Sequence, residues 1–320
     1  VIKAFSTGLL VAGLCAMAVP VSGHATDLTV MTFNVWGGGA NDGKSVDETV
    51  AVIKAVNPDV VGLQETRLEP GDCTAESCAA AGESVAAEIA RKLGYHYYDQ
   101  TKSSVALWAN AVISRYPIGK ATSNDLGVEI DVQGRKIAVF NIHLADFPYQ
   151  PYQLTNIEYG TAPYLKTEVE AIAAATAARG AGVDILERDL KEFGDAEATF
   201  VFGDFNEPSH LDWTAEAVAA KLQPLVVRYP TTRRMERLGF VDLFRAKNAD
   251  VVAKPGFTWT PTSEPSATDD HHDRIDFTFG KAANLVVVEA GIVGEKTPEA
   301  DIVVTPWPSD HRASMARVRF

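Results

Sequence analysis

Cysteine is scarce: the chain holds 3 in 320 residues. That excludes a disulfide-built miniprotein and a multi-cysteine zinc module. Basic charge is also short. Lys and Arg number 29 against 42 Asp and Glu, for a formal net charge of −13. A nucleic-acid binder usually carries a basic face, so a polyanionic partner is disfavoured. Past the N-terminal stretch no apolar run is long enough to predict a membrane span. The chain shows no internal repeat, no low-complexity linker and no break in composition, which favours one domain over two.

At the N-terminus, Lys3 precedes the apolar run FSTGLLVAGLCAMAVPV, which leads into the small residues of SGHATD. This predicts an export signal over residues 1–25, cut near Ala25. Gly13 and Pro20 make the run a poor permanent span, and bulky Leu14 argues against a lipid anchor on Cys15. The expected location is therefore periplasmic or extracellular, with residues 26–320 as the functional domain. Cys73 and Cys78 lie in the glycine-flanked loop EPGDCTAESCAAAG and are expected to form a local disulfide, a staple without chemistry of its own. A monomer is the default expectation.

Apolar β-type runs alternate with helical spacing. Strands are predicted at 28–35 and 59–65, as two short strands over 105–117, and as a hairpin over 127–144 turning at Gln133-Gly134. Others fall at 200–203 and near GFTWT, RIDFTF, NLVVVEAG and SMARVRF. Helices are predicted at 45–56, 83–94 and 231–239, with one or two alanine-rich helices before residue 198 and a loop over 145–154. The hairpins exclude a purely parallel sheet, so the expected class is α/β with mixed sheets.

Polar residues collect where the apolar strands end: Asn34, Glu65, Asn110, Asn141, His143, Asp204, Asn206, Asp276, Asp310 and His311. Strand ends hold side chains rigidly. Residues two apart share a face, which pairs Asn141 with His143 and Asp204 with Asn206. Carboxylate and amide oxygens are hard ligands that suit Mg²⁺, and also Mn²⁺ or Ca²⁺. A carboxylate beside such an ion orients or deprotonates water. Histidines and amides stabilise charge on phosphoryl oxygens. The chemistry indicated is metal-assisted phosphoester hydrolysis.

The blocks TFNVWG, GLQE, ANAVISRYPI, NIHL, GDFNEP, GFTWTP, RIDF and SDHR follow one another between residues 32 and 312. In these blocks the chain resembles the endonuclease/exonuclease/phosphatase superfamily of deoxyribonuclease I-like, metal-dependent phosphoesterases. The resemblance implies a four-layer αββα sandwich with two mixed sheets packed face to face. Asn34 and Glu65 match its metal-binding pair, and Asp310 a further acid near the metal, with Mg²⁺ as the implied cofactor. Asp204 matches the residue that orients or activates water, Asn206 its phosphate-contacting partner, and His143 and His311 the two phosphoryl-contacting histidines. Asp276, preferred to Asp273, matches the carboxylate that orients the terminal histidine. Asn110, Asn141 and Trp259 are assigned to phosphate or substrate contact.

For the substrate, the leading expectation is a small or lipid-derived phosphoester. An exported nonspecific nuclease of the deoxyribonuclease I type ranks second, since acidity disfavours nucleic acid. A catalytically silent binding module ranks last. His210 is a candidate for contact with the leaving group, on a par with a turn histidine satisfied by the backbone, and substrate choice within GDFNEPSHLDW is expected at His210 and Trp213. Among Arg228, Arg233, Arg234 and Arg237, a solvated helix paired with Glu236 and other acids is favoured over the reading of a second phosphate. The aromatic stretch DFPYQPYQL (146–154) is expected to wall the pocket.

Overall fold

Strand β1 (Asp27–Asn34) shows how the layers arise. Leu28 and Val30 enter a buried cluster with Val60, Val139, Phe200 and Val318. Met31 and Phe33, on the opposite face, enter another with Val61, Ile53 and Ile89. The two-residue period thus puts one row between the sheets and the other beneath helices. The remaining strands are β2 (Val60–Gln64), β3 (His96–Gln100), β4 (Asn110–Ser114), β5 (Ile118–Ala121), β6 (Gly127–Val132), β7 (Arg135–His143), β8 (Ala198–Asp204), β9 (Val241–Asp242), β10 (Asp276–Ala282), β11 (Val286–Gly294), β12 (Ile302–Val303) and β13 (Ala313–Arg319). The helices are α1 (Val46–Val56), α2 (Ala86–Leu93), α3 (Gln150–Thr155), α4 (Glu168–Leu190), α5 (Ala215–Ala219), α6 (Pro230–Arg237) and α7 (Leu243–Lys247). This computed structural model describes residues 1, 2, 4 and 25–320, so the expected export signal falls almost wholly outside the described residues. No described helix is long and apolar enough to cross a membrane.

The strands form a 7-stranded sheet ordered β12-β11-β13-β1-β2-β4-β3 and a 6-stranded sheet ordered β5-β6-β7-β8-β10-β9. Both are mixed: β1 runs parallel to β2 and antiparallel to β13, and β8 runs parallel to β7 and antiparallel to β10. Helices α1 and α2 cover the first sheet, and Val183 and Leu186 of α4 with Met235 of α6 cover Phe140, Ile142 and Val201 of the second. The result is the αββα sandwich. Along the inner rows apolar residues give way to polar ones at one shared end: Asn34, Gln64, His143, Asp204 and Asp276. At Gly62 the sheets approach closely. A Cβ there would lie 2.8 Å from Asn141 Oδ1 and 2.9 Å from Phe202 Cβ.

Some elements differ from expectation. Only one strand forms within 105–117, because the backbone at Ala109 has φ 51° and turns before β4. The predicted loop 145–154 contains the start of α3, with Pro151 in the first turn, where a missing N–H costs nothing. GFTWT makes no strand, only isolated bridges from Trp259 to Asp273 and to His311. The alanine-rich segment is one 23-residue helix, α4, opened by a capping box between Thr167 and Glu170.

Candidate active site

The polar strand ends meet on Asp204, the last residue of β8. Its Oδ2 accepts from Asn34 Nδ2 at 3.1 Å. The same oxygen lies 3.6 Å from His311 Nε2 and 3.7 Å from His143 Nε2. Its Oδ1 accepts the backbone N–H of Asn206 at 2.9 Å. Asn206 itself has φ 47°, and its Nδ2 donates to the Leu144 carbonyl at 3.0 Å. It therefore reaches the pocket from a turn after the strand rather than from the strand face. His311 Nδ1 pairs with Asp276 Oδ2 at 2.9 Å, which directs Nε2 toward Asp204. Asp276, not Asp273, is thus the histidine's partner. Asn34, Glu65, Asp310 and His311 come from the first sheet and its approaches, and His143, Asp204 and Asp276 from the second.

Charge in the site is crowded. Burial opposes the imidazolium of His311, but Asp276, Asp204 and Asp310 outweigh it and hold that ring well above its ordinary pKa. Burial, then the charges of Asp310 and Glu69, push the Glu65 carboxyl well up. Asp310 is pushed up to about 6 by burial, with His311 opposing and Glu69 adding to the rise. Glu65 and Asp310 thus share the site as hard-oxygen donors whose like charges repel. A divalent cation fits that donor set, since it would relieve their repulsion. Donor atoms of Glu65, His143 and Asp204 also lie within 4.8 Å of one another. Asn34 stands beside Glu65. It turns Nδ2 toward Glu65 at 2.8 Å and toward Asp204, while its Oδ1 accepts from the Trp36 N–H and keeps a second lone pair. In this arrangement it is a strut between two carboxylates.

A cavity of about 550 Å³ opens over these groups, room for a small ligand. Its floor holds Glu65, His143, Asp204, Asn206, Asp310 and His311. Phe147, Tyr149 and Tyr152 wall it from the 146–154 stretch, with Trp259 set 5.0 Å from the ring of His311. None of the described lining residues is Lys or Arg.

Residues 31–311 match the sequence pattern of the Endonuclease/Exonuclease/phosphatase family. The chain belongs to that family. Its members are phosphoester hydrolases, and this chain is a family hydrolase with an acidic and histidine cluster able to hold a divalent ion. An uncharacterized protein of Caenorhabditis elegans is 29% identical over 313 residues, covering 92% of this chain and 91% of that one. Two solved structures share the fold at low identity. An endonuclease/exonuclease/phosphatase family protein from Leptotrichia buccalis is 16% identical at a TM-score of 0.51, covering 92% of this chain and 100% of its own. TDP2 from Caenorhabditis elegans is 18% identical at a TM-score of 0.50, covering 92% and 74%.

Several residues singled out in the sequence lie off the cavity. Asn141 shares its strand face with His143 but lies one layer deeper, fully buried opposite Gly62. Its Nδ2 donates to Leu63 O, Gln100 Oε1 and Ala111 O, and its Oδ1 accepts from Gln64 at 2.6 Å. No polar atom is left for phosphate. Asn110 is also buried and does not line the cavity; its Oδ1 accepts from the Trp108 N–H, and its Nδ2 has no hydrogen-bond partner, so its donor stays free. Asp273 takes hydrogen bonds from Trp213 Nε1, Tyr149 Oη and Gln223 Nε2, which makes it a fastening for the wall. Trp213 is fully buried, and His210 is held by Thr232 and Glu236, so neither faces the cavity. The arginines lie outside it too. Arg228 pairs with Glu168, and Arg234 with Asp184 and Glu187, all on α4 rather than with Glu236.

Sequence reasoning misses the other half of the pocket. The Cys73–Cys78 disulfide closes a loop whose residues Thr74 to Cys78 line the cavity, so the staple shapes the site. Glu69, Trp108 and Tyr159 also line it. Their loops carry no periodic signal. The only local cue is an aromatic, Trp108, two residues before Asn110.

Proposed function

We propose that the protein is an exported, Mg²⁺-dependent phosphoesterase acting on a phosphodiester or phosphomonoester of a small or lipid-derived substrate. The observation that carries this reading is the convergence of Asn34, His143 and His311 on one oxygen of Asp204, with Glu65 and Asp310 alongside. Glu65 and Asp310 would hold the ion, which when bound supplies charge neutralisation at the phosphoryl oxygens. Asp204 orients a water and accepts its proton as the water oxygen bonds to phosphorus and the ester P–O bond breaks. The leaving oxygen takes up a proton from solvent, and Asp204 releases the one it accepted to solvent, so that one water is consumed per ester cleaved. His311, kept protonated by Asp276, offers Nε2–H to a phosphoryl oxygen, and His143 stands on the other side of Asp204. A duplex would need several cations along its track, and the described cavity lining provides none. The signal-like residues 1–25 and the Cys73–Cys78 disulfide support export to an oxidising compartment.

Purified protein is expected to hydrolyse bis-p-nitrophenyl phosphate or p-nitrophenyl phosphate with Mg²⁺ or Mn²⁺ and to lose that activity in EDTA. Mg²⁺ should also raise the melting temperature of the wild type but not of Glu65→Gln. Plasmid degradation at lower enzyme than either ester requires would transfer the assignment to a nuclease. A metal-loaded protein that hydrolyses no phosphoester would be a binding module.

A further inference from the structure

The cavity has two parts with different chemistry. Beyond the floor, its walls are aromatic. On one side a chain of rings runs outward from the floor. Trp259 packs on His311, its Nε1 donates to Tyr152 Oη at 3.1 Å, Tyr152 meets Tyr159 edge-on at 5.9 Å, and Tyr159 donates to Asp146 Oδ2 at 2.8 Å. On the other side Trp108 lies edge-on to His143 and donates to the Cys78 carbonyl at 2.8 Å. The Thr161 N–H donates to Glu76 Oε1 at 2.7 Å, which ties the disulfide loop to the chain just past Tyr159. These bonds fix the rings before any ligand arrives, which lowers the cost of ordering them on binding.

The outer wall also has a sign. Glu69, Glu76 and Asp146 are exposed at it, and no Lys or Arg is among the described lining residues; Arg179 reaches Asp146 from behind the wall, donating Nη2 to its carbonyl at 3.4 Å. His143, only 8% exposed, lies on the floor where this recess meets the reacting groups, and its ring Nδ1 is buried without a hydrogen-bond partner. A ring-walled, acid-rimmed recess beside a phosphoester site matches one ligand chemistry. Aromatic faces and carboxylates both attract a cation with an apolar shell, and the carboxylates repel further phosphates.

Resting on the phosphoesterase reading, we propose that the outer cavity is a cation subsite. It accepts an ammonium or quaternary ammonium group joined by a short linker to the phosphoester, and it sets substrate choice through Trp108, Tyr152, Tyr159 and Trp259 with Glu76 and Asp146. The chemistry is shared by amine-bearing lipid head groups and by their water-soluble phosphodiesters.

The test compares p-nitrophenylphosphorylcholine with the isosteric ester in which carbon replaces the quaternary nitrogen. The two share a leaving group and differ only in charge. The wild type is expected to favour the charged ester by about tenfold or more in kcat/KM, chiefly through KM. Asp146→Asn and Glu76→Gln keep an acceptor for Tyr159 and Thr161 and remove the charge. Each should bring the ratio down by about threefold or more, and the neutral ester reports whether the variant is folded and active. A wild-type ratio near one, with the neutral ester hydrolysed, overturns the cation subsite and leaves the phosphoesterase standing. Hydrolysis of neither ester nor of bis-p-nitrophenyl phosphate overturns both. Turnover of glycerophosphocholine over micellar lysophosphatidylcholine, or the reverse, supports the subsite and tells the soluble source from the lipid one.

Discussion

Asn141 and His143 sit two residues apart on one face of β7, and they belong to different worlds. Around Asn141 the inter-sheet layer is polar but complete: Gln64, Gln100 and two backbone carbonyls use every polar atom of its amide. Around His143, one layer outward, carboxylates crowd without full pairing and a ring nitrogen has no partner. Buried polar groups that satisfy each other are architecture. Buried groups that need something from outside are a site.

Breaking the outer layer should cost activity and little stability. Asp204→Asn is expected to lower kcat/KM at least about a thousandfold while the protein still melts cooperatively. A variant within about tenfold of wild type would falsify the role given to Asp204. Breaking the inner layer should do the reverse. Asn141→Ala strands Gln64, Gln100 and the Leu63 and Ala111 carbonyls, and should cost roughly 4 kcal/mol in urea unfolding while kcat per folded molecule holds. If instead it melted like wild type and lost turnover, the two layers would have to exchange roles.

Glu207 sharpens the comparison from a third position. It lies three residues after Asp204 but turns away, accepting the Thr231 N–H at 2.7 Å and the Thr231 hydroxyl at 3.0 Å beneath α6. Burial lifts its carboxyl from 4.5 to about 7, with Arg179 and Thr231 opposing the rise. As pH climbs through that window the unfolded chain has already lost this proton and the folded chain has not. Stability therefore falls across the window and levels off above it. Glu207→Gln should remove that slope, worth at most about 3 kcal/mol, when melting curves are compared across pH. Smallest of all, Arg234→Ala should cost under about 1 kcal/mol and leave kcat/KM within about twofold, because its partners are acids on α4.

What the strands contribute is legible in the sequence because a two-residue period and a polar last residue are local facts. Asn34, Glu65, His143, Asp204 and His311 stand out at strand ends from residue order alone, whereas the four-layer stacking follows only from the family resemblance. Depth is not legible. Whether a polar residue near a strand end sits at the rim or one layer in depends on the facing sheet, and for that reason Asn141 reads like a site residue and is not one. Nor is the outer wall, since Glu69, Glu76 and Tyr159 lie in loops whose place is fixed by tertiary bonds. GDFNEPSHLDW as a line of text gives no sign that its first half faces the cavity and His210 and Trp213 do not.

Gly62 has a mechanical consequence. There the two sheets leave no room for a side chain, and the reacting groups are divided between those sheets. The span from Asn34 to Asp204 is therefore a reading of the gap between two slabs, and Gly62 is the shim that sets it. A methyl group there would act as a wedge. It would leave every reacting residue in place on its own strand and still throw the site out of alignment.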